Sequence, residues 1–539
     1  MARNLKTLSL LTAAVLALTL AACGEDEGGD GGDGGDGATG TSEPWTLGTT
    51  ETVTAMDPAG SYDFASWNIQ YNVFEQLLTV PAGEEEPVGD AAESCAYDDP
   101  QTVTCTLREG LTFSNGNDLT SSDVQFSLER NIAIADPLGS SGLLGSISNG
   151  DAEAPALAEG AIETPDDLTI VFHLNQPDVT FLKLLSTATT SIVDEETFPA
   201  DALMPDEEIV GSGPYLLSQY KAGEQAVLEA NPDYDGERTP TAPQVFVQYF
   251  SDTAPLKTAI ETGQVDIAWR TLGPTDLNDL EQGGEVEVVR GEGSEFRYFV
   301  FRVTNDAVKD AAVRQAAAQI IDRDAIATNA YDGTVTPSYS IVAPGFGGQK
   351  NSFEEKYGAP DADAAATILE DAGVQTPVQI TMGYTPTHYG PNAVDEANEF
   401  AEQLNSSGLF EVTLESTEWE EYQTLAEEGA YDVFHYGWYP DILDADNYLS
   451  PFIRDGGFFN NGYSSEEVNT LLDEELGETD PAAREEIIGQ LQDIVAEDVP
   501  LIPSWNGQNV AVQTDQMSGV EETLDPTYIF RFWGISKEG

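Results

Sequence analysis

Hydrophobic and polar positions alternate along the chain with two different periods. Alternation of single residues, in segments rich in β-branched and aromatic side chains, predicts strands at residues 102–107, 168–174, 244–250, 296–303, 378–384 and 411–417. Apolar residues at helical spacing predict helices at residues 121–131, 254–263, 310–321, 361–373 and 484–498. Ser121 or Ser122 is the expected N-cap of the first helix. Because strands and helices alternate without an internal repeat, the pattern predicts a mixed α/β fold.

The length of the chain predicts more than one domain. A chain of 539 residues exceeds what one hydrophobic core normally supports. With 40% hydrophobic and 9% aromatic residues, it has enough apolar side chains to fill two or three cores.

The charge balance is strongly acidic. The chain carries 96 acidic and 21 basic residues, a formal net charge of −75. Nucleic acid and anionic lipid headgroups bind basic surfaces, so neither is expected as a partner. The acidic residues are spread along the whole chain, which favours a solvated, repulsive surface suited to a saline medium over a route for cationic ligands.

The N-terminus has the form of an export signal. Arg3 and Lys6 precede an apolar run at residues 8–22 that is too short to span a bilayer, so residues 1–22 are expected to be a signal peptide. The run ends in "LAAC", which resembles a bacterial lipobox with Cys23 as the lipidated residue. An ordinary signal peptide with an incidental cysteine is the alternative.

The segment that follows is rich in glycine and acidic residues and cannot bury a core. Residues 23–43 are therefore expected to be a lipidated cysteine with a flexible tether. The expected location is the cell membrane, with the protein anchored by lipid on the extracytoplasmic face.

The two remaining cysteines, Cys95 and Cys105, flank "AYDDPQTVT", which contains a turn signal and a β-branched run. They can face each other across a hairpin, and an oxidising compartment favours a disulfide between them. Two separate buried thiols are the alternative. A metal site is disfavoured because no histidine lies nearby and two thiolates form an incomplete coordination shell.

The common templates of enzymes are absent from the sequence. No G-x-S-x-G, H-E-x-x-H or G-x-x-x-x-G-K-[ST] motif occurs, and His173, His388 and His435 are far apart along the chain. We therefore expect no catalytic residue, no cofactor and no metal. A secreted glycoside hydrolase stays open as an alternative, because its acid pair has no fixed spacing.

Several segments, in order, resemble the family 5 extracytoplasmic solute-binding proteins, the peptide, dipeptide and nickel receptors of ABC importers. These segments are "REGLTFSNGNDLTSSDVQFSLER" (residues 108–130), "VGSGPYLLSQY" (210–220), "AIETGQVDIAW" (259–269), "AAVRQAAAQIIDRDAIA" (311–327) and "DADAAATILEDAGV" (361–374). "YDVFHYGWYPDILDADNYL" (residues 431–449) is similar to the family's late pocket segment. The resemblance spans most of the chain after the tether.

The resemblance implies a two-lobe α/β fold of the periplasmic-binding-protein type (class II, cluster C) with an extra subdomain and the ligand enclosed at the hinge. By resemblance, residues 44–78, 210–300 and 505–539 form lobe I, residues 79–209 an inserted subdomain and residues 301–504 lobe II. It further implies a monomer that docks on ABC permease subunits and is not an enzyme. The expected ligand is a small solute, with an oligopeptide or dipeptide favoured. A ligand-sensing surface lipoprotein is the alternative.

The stretch "YGWYPDILDADNYL" (residues 436–449) is the main candidate for the ligand site. Tyr436, Trp438 and Tyr439 offer flat apolar surfaces with polar tips. Asp441 follows Pro440, whose ring stiffens the backbone before the acid. By resemblance, Trp438 and Asp441 fall where peptide-binding members place the tryptophan and the aspartate that receives the ligand's amino terminus. Core packing of the aromatic residues is the alternative.

Two further acids in this stretch, Asp444 and Asp446, are expected to cap a helix on an exposed face and not to contact ligand. Other ligand-site candidates are Tyr62 and Trp67, which either line the site or belong to the core.

Two more aromatic residues complete the predicted site. Tyr384 follows a predicted strand and is expected to reach the cleft. Trp505 lies where the chain is expected to recross the hinge. His388 lies near Tyr384 and suggests nickel, but one histidine does not make a metal site.

Overall fold

The structure is a computed structural model that describes residues 42–270, 272–390 and 392–539. The predicted signal peptide, Cys23 and nearly all of the predicted tether lie outside the described residues. Among the described residues, no helix combines the length and the apolar character needed to cross a membrane.

Strands and helices alternate along the chain, as the sequence pattern predicts. The strands are β1 Trp45–Thr49, β2 Leu78–Thr79, β3 Val88–Gly89, β4 Ala92–Asp99, β5 Thr102–Leu107, β6 Ile162–Asp166, β7 Thr169–His173, β8 Tyr215–Lys221, β9 Gln225–Ala230, β10 Gln244–Tyr249, β11 Ile267–Trp269, β12 Glu287–Phe301, β13 Thr336–Pro337, β14 Val378–Tyr384, β15 Phe410–Ser416, β16 Val433–Trp438, β17 Leu501–Gln513, β18 Met517–Ser518 and β19 Ser536–Lys537. The α-helices are α1 Phe64–Val73, α2 Ser121–Ile134, α3 Phe181–Leu184, α4 Thr253–Glu261, α5 Pro274–Gly283, α6 Ala311–Ile320, α7 Arg323–Asn329, α8 Ser352–Tyr357, α9 Ala362–Asp371, α10 Ala393–Ser406, α11 Trp419–Glu427, α12 Ser450–Ile453, α13 Glu466–Gly477, α14 Pro481–Asp498 and α15 Val520–Thr523. Short 3₁₀ helices lie at Pro58–Gly60, Ser141–Ile147, Ala188–Thr190, Asp206–Glu208, Ala445–Tyr448 and Phe532–Gly534.

Every predicted strand and helix is present, but the expected N-cap of α2 is wrong. The cap is Thr120. Its backbone N–H donates to the carboxylate of Asp123 over 2.8 Å, as in a capping box. The hydroxyl of Ser121 donates instead to the carbonyl oxygen of Asp166 over 2.7 Å. Ser121, which the local pattern predicts as a cap, therefore makes a tertiary contact instead.

One large sheet runs through most of the molecule, in the order β15-β14-β16-β12-β17-β11-β1-β10-β9-β8, with β13 also paired to β17. At its centre, β12 and β17 are antiparallel, and their register extends from Glu287 opposite Gln513 to Val300 opposite Leu501. The register shifts between Glu292 and Phe296. This strand pair connects the two halves of the sheet.

Separate hydrophobic cores lie on either side of this strand pair. Lobe I has a core around Trp45, Tyr215 and Phe530, packed on β1 and β8–β10. Lobe II has a core around Phe299, Phe400, Tyr422, Ile488 and Leu491. The cores support the predicted division of the chain, whose boundaries remain a prediction.

A third core belongs to the inserted subdomain. Its four-stranded sheet has the order β4-β5-β7-β6 and packs on α2 through Val103, Phe172 and Leu128. Cys95 lies directly opposite Cys105 in the β4–β5 pair, and a disulfide joins them. The hairpin expected from the sequence is thus the element that carries the cysteine pair.

The "GSGPY" segment passes closely over helix α1. A side chain at Gly211 or Gly213 would overlap with the backbone of Val73, whereas glycine allows Gly213 to donate its N–H to the Val73 carbonyl over 2.8 Å. The two glycines therefore bring the chain from the subdomain back onto lobe I.

Candidate functional site

A cavity of about 970 Å³ lies between lobe I and lobe II. Lobe I contributes side chains from α1 and the segments near it, lobe II contributes the end of β16, and β12 and β17 contribute residues where the lobes meet. The lining residues that matter most for its chemistry are Glu51, Tyr62, Phe64, Trp67, Arg270, Glu295, Arg297, His388, Tyr389, Trp419, Tyr436, Trp438, Tyr439, Asp441, Phe458, Trp505 and Tyr528. The volume fits a small ligand.

The segment after β16 holds an acid and an indole in fixed positions. The side-chain oxygen of Asn447 accepts from the backbone N–H of Asp441 over 2.8 Å and from the indole N–H of Trp438 over 3.1 Å. Asn447 is itself buried and belongs to the 3₁₀ helix Ala445–Tyr448. One side chain thus fixes Trp438 relative to the backbone of Asp441.

The carboxylate of Asp441 has no cationic partner. Its Oδ1 accepts from the Tyr62 hydroxyl over 2.5 Å, and none of the described lysines, arginines or histidines forms an ion pair with it. Burial raises the pKa of Asp441 to about 6, against a smaller lowering by hydrogen bonds from Tyr62 and Asn447. The cavity therefore presents a half-buried acid without a counter-charge.

Two arginines in the wall already have carboxylate partners. Arg297 pairs with Glu295 over 2.5 Å and lies over the Tyr389 ring, 4.4 Å from its centroid. Arg270 donates to Glu51 over 2.9 Å. Of the four carboxylates that line the cavity among the described residues, Glu51 and Glu295 are therefore paired with arginine, whereas Asp63 and Asp441 are not.

The backbone of Arg270 is left-handed, with φ of 62°. Its guanidinium lies 4.3 Å from the centroid of Phe64, 4.8 Å from that of Tyr439 and 5.3 Å from that of Tyr528. Three rings from both lobes therefore hold this cation in place.

His388 lies in the lobe II wall and stacks on Trp419, with ring centroids 3.7 Å apart and an interplanar angle of 1°. Burial and the nearby charge of Arg297 lower the pKa of His388 to about 4, so the ring is neutral at physiological pH. No group of three metal-binding side chains occurs within the part of the chain that the structure describes. His388 acts here as a flat aromatic surface.

A buried carboxylate anchors Trp505 from beneath. Glu396 accepts from the indole N–H of Trp505 over 3.1 Å and from the Tyr331 hydroxyl over 2.6 Å, and it lies 3.1 Å from His435. Burial raises the pKa of Glu396, but His435 and the donors outweigh it and hold the pKa at about 2. Glu396 is therefore ionised and fixes the ring that lines the cavity.

Most of the residues predicted for the site lie in its wall. The cavity is lined by Tyr62, Trp67, Tyr436, Trp438, Tyr439, Asp441 and Trp505. Tyr384 is not among the lining residues. It lies at the end of β14 and packs against the lobe II core, whereas His388 and Tyr389 of the following segment reach the cavity.

The expected exposure of Asp444 is also wrong. Asp444 does cap the 3₁₀ helix, accepting from the N–H of Asp446 over 2.9 Å, but it is only 3% exposed. It forms ion pairs with Arg484 over 2.6 Å and with Lys183 of the subdomain over 3.2 Å. Asp444 therefore links the subdomain to lobe II.

The sequence interpretation missed several lining residues, namely Arg270, Arg297, Tyr389, Trp419 and Phe458. A signal for one of them exists: Arg297 interrupts the apolar run "FRYFVFRV" in a chain with only 21 basic residues. A charged residue within a central strand needs a buried partner, which Glu295 supplies.

Comparison with protein families gives one match over most of the chain. The model described as "Bacterial extracellular solute-binding proteins, family 5 Middle" matches residues 86–460. Heme-binding protein A of Haemophilus influenzae is 24% identical over 99% of this chain and 100% of that protein. Oligopeptide-binding protein OppA of Bacillus subtilis is 24% identical over 94% of this chain and 95% of its own length. Dipeptide-binding protein DppE of Bacillus subtilis is 23% identical over 87% of each chain.

Solved structures share the two-lobe fold. DppA from Helicobacter pylori, in complex with the peptide STSA, has a TM-score of 0.75 at 22% identity and covers 92% of this chain and 98% of its own. CtaP from Listeria monocytogenes has a TM-score of 0.80 at 21% identity, covering 93% of this chain and 100% of its own. The expected two-lobe periplasmic-binding-protein fold is confirmed.

Proposed function

The chain belongs to the bacterial extracellular solute-binding proteins of family 5, and on this premise we propose that it captures a short peptide by its amino terminus and delivers it to an ABC permease. Membership in the family makes the chain a binding component of an importer and not an enzyme. The peptide, the delivery step and the anchoring described below are proposals.

The observation that carries the proposal is the unpaired carboxylate of Asp441. A peptide's terminal ammonium supplies the missing counter-charge and donates hydrogen bonds to an acceptor already positioned by Asn447 and Tyr62. Charge-assisted hydrogen bonds of this kind contribute about 1.5–3 kcal/mol. A free amine is therefore the ligand group that the cavity favours.

The names of the relatives differ between peptide-binding and heme-binding proteins. Heme carries carboxylates, and these are repelled by an acid that has no cation beside it, while Arg270 and Arg297 are paired with Glu51 and Glu295. The charge of the cavity thus favours an amine-bearing peptide over heme.

We place the protein on the extracytoplasmic face of the cell membrane, as a monomer. The lipobox-like residues before Cys23 and the acidic glycine-rich tether after it support a lipid anchor. Such a tether leaves the two lobes free to approach a permease while keeping them near the membrane.

Calorimetric titration of purified protein with the dipeptide Ala-Ala and with N-acetyl-Ala-Ala tests the amine assignment. Asp441→Asn removes the charge but little volume, and it is expected to weaken Ala-Ala about ten- to a hundredfold. Because the cavity is screened less than the surface, the loss is expected to persist at high salt.

The matched control is Asp201→Asn, which removes an acid from an exposed position. It is expected to leave the affinity for Ala-Ala unchanged. Equal affinity of wild type and Asp441→Asn, or equal affinity for the free and the acetylated dipeptide, contradicts the proposal.

A further inference from the structure

Phe458 is a large apolar side chain that lines the cavity and yet is 57% exposed. Its ring centroid lies 5.4 Å from that of Trp438 and 6.2 Å from that of Tyr436. The three rings therefore form one apolar corner, whose open side faces the cavity. A ligand that covers this corner shields its apolar surface from water, and this burial favours binding.

The apolar corner adjoins the acid that is proposed to hold the ligand's amino group. Asn447 accepts from both the indole of Trp438 and the backbone of Asp441, so the Trp438 ring is held close to the backbone that carries the acid. In a peptide, the first side chain branches from the same Cα that carries the amino group. A peptide amine at Asp441 thus brings the first side chain of the ligand toward Trp438 and Phe458.

The surroundings favour an aromatic side chain over a cationic one. Apart from Asp441, the carboxylates that line the cavity among the described residues are Glu51, Asp63 and Glu295, and none of these three belongs to the segments that carry the rings of the corner. Arg297 already occupies a face of Tyr389, and its charge disfavours a second cation nearby. The neutral state of His388 agrees with this, since burial and Arg297 lower its pKa to about 4.

We infer that Phe458, with Trp438 and Tyr436, forms a subsite for an aromatic side chain on the first residue of the ligand peptide. Phe458 is the residue that sets this selectivity, since its ring is the exposed part of the corner. The inference rests on the proposed function, because it takes the amine position from Asp441.

Titration of wild type with Phe-Ala, Ala-Ala and Arg-Ala tests the subsite. Burial of a phenyl ring predicts that Phe-Ala binds roughly ten- to a hundredfold more tightly than Ala-Ala. Phe458→Ala is expected to reduce this ratio by about tenfold, and Phe458→Leu to reduce it less, because leucine keeps part of the apolar surface. Leu138→Ala, which shortens an exposed apolar side chain of the subdomain that does not line the cavity, is expected to leave the ratio unchanged.

The outcomes separate the subsite from the proposed function. If no dipeptide binds, or if Ala-Ala binds equally to wild type and Asp441→Asn, the proposed function fails and the subsite fails with it. If Ala-Ala depends on Asp441 but Phe-Ala has no advantage over it in wild type, the subsite alone is overturned. It is also overturned if Arg-Ala binds as tightly as Phe-Ala, or if Phe458→Ala leaves the Phe-Ala to Ala-Ala ratio intact.

Discussion

The hydroxyl of Tyr62 in lobe I donates to the carboxylate of Asp441 in lobe II over 2.5 Å, so one hydrogen bond joins the lobes across the cavity. The two residues are 379 positions apart in the chain. The acid proposed to bind ligand is therefore also a contact between the lobes, and ligand binding and lobe closure share one side chain.

Removal of the Tyr62 hydroxyl is expected to weaken closure without changing the charge of the cavity. Tyr62→Phe keeps the ring, and the loss of one hydrogen bond to a carboxylate is expected to lower affinity for Ala-Ala about tenfold. Small-angle scattering is expected to show compaction of wild type on addition of Ala-Ala and a smaller fraction of closed protein in Tyr62→Phe. No compaction of wild type with a dipeptide that raises its thermal stability would contradict the hinge mechanism.

Neutralisation of Asp441 is expected to stabilise the ligand-free protein. The pKa of Asp441 is raised to about 6 from an unfolded value near ~3.9, so the folded state binds the proton more tightly and stability falls as pH rises through this window. Asp441→Asn lacks this penalty and is expected to raise the free energy of unfolding by about 1–3 kcal/mol at pH 8. Urea denaturation of wild type and Asp441→Asn at pH 8 and pH 4 measures this difference in the free energy of unfolding. A difference that is the same at both pH values would contradict the assignment.

Asp444 is expected to matter for stability more than for ligand affinity. Asp444→Ala removes the buried partner of Lys183 and one of the two buried carboxylates that pair with Arg484, the other being Glu475, which is expected to lower the free energy of unfolding by about 3 kcal/mol. Asp201→Asn, at an exposed position, serves as the control and is expected to change it by less than ~0.5 kcal/mol. Urea denaturation of wild type and both variants measures these free energies of unfolding. Equal stability of Asp444→Ala and wild type would show that the ion pairs contribute nothing.

The cysteine pair is expected to stabilise the inserted subdomain. The double variant Cys95→Ser, Cys105→Ser removes a link between residues ten positions apart and is expected to lower the free energy of unfolding by roughly 2–3 kcal/mol. A thiol reagent under denaturing, non-reducing conditions is expected to label neither cysteine in wild type. Labelling of both would exclude the disulfide.

Cys23→Ser is expected to release the protein from the membrane into the medium. The hydroxyl cannot take the thioether-linked lipid that the "LAAC" sequence suggests. Fractionation of cells that express wild type or Cys23→Ser measures this. Retention of the variant in the membrane fraction would contradict the anchor.

Local pattern predicted the mixed α/β class, and the family resemblance predicted the two-lobe fold and the segment that lines the cavity. The strand at residues 378–384 follows from alternation alone, and the family resemblance pointed to Trp438 and Asp441 because both lie in one continuous segment. By contrast, Arg297 reaches the cavity through the pairing of β12 with β16 and β17, which brings together residues far apart in sequence.

The errors have the same physical origin. The local sequence predicts that Asp444 is an exposed cap. In the fold, Asp444 is buried and pairs with Arg484, which is 40 positions away. Tyr384 ends a strand as Trp438 does, but β14 lies one strand further from β12 than β16 does, and Tyr384 packs against the lobe II core. Neither the partner of a charge nor the order of strands in a sheet is contained in a local pattern.

The position of β17 between β12 and β11 also constrains the order in which the chain can fold. Until residues 501–513 are present, the large sheet remains two unconnected pieces, and neither lobe can complete its hydrogen-bonded strand order. Domains that consist of one continuous segment can fold as soon as that segment emerges. Here the large sheet is complete only after residues 501–513 have been synthesised, whereas the inserted subdomain has a four-stranded sheet and a core of its own that β17 does not enter.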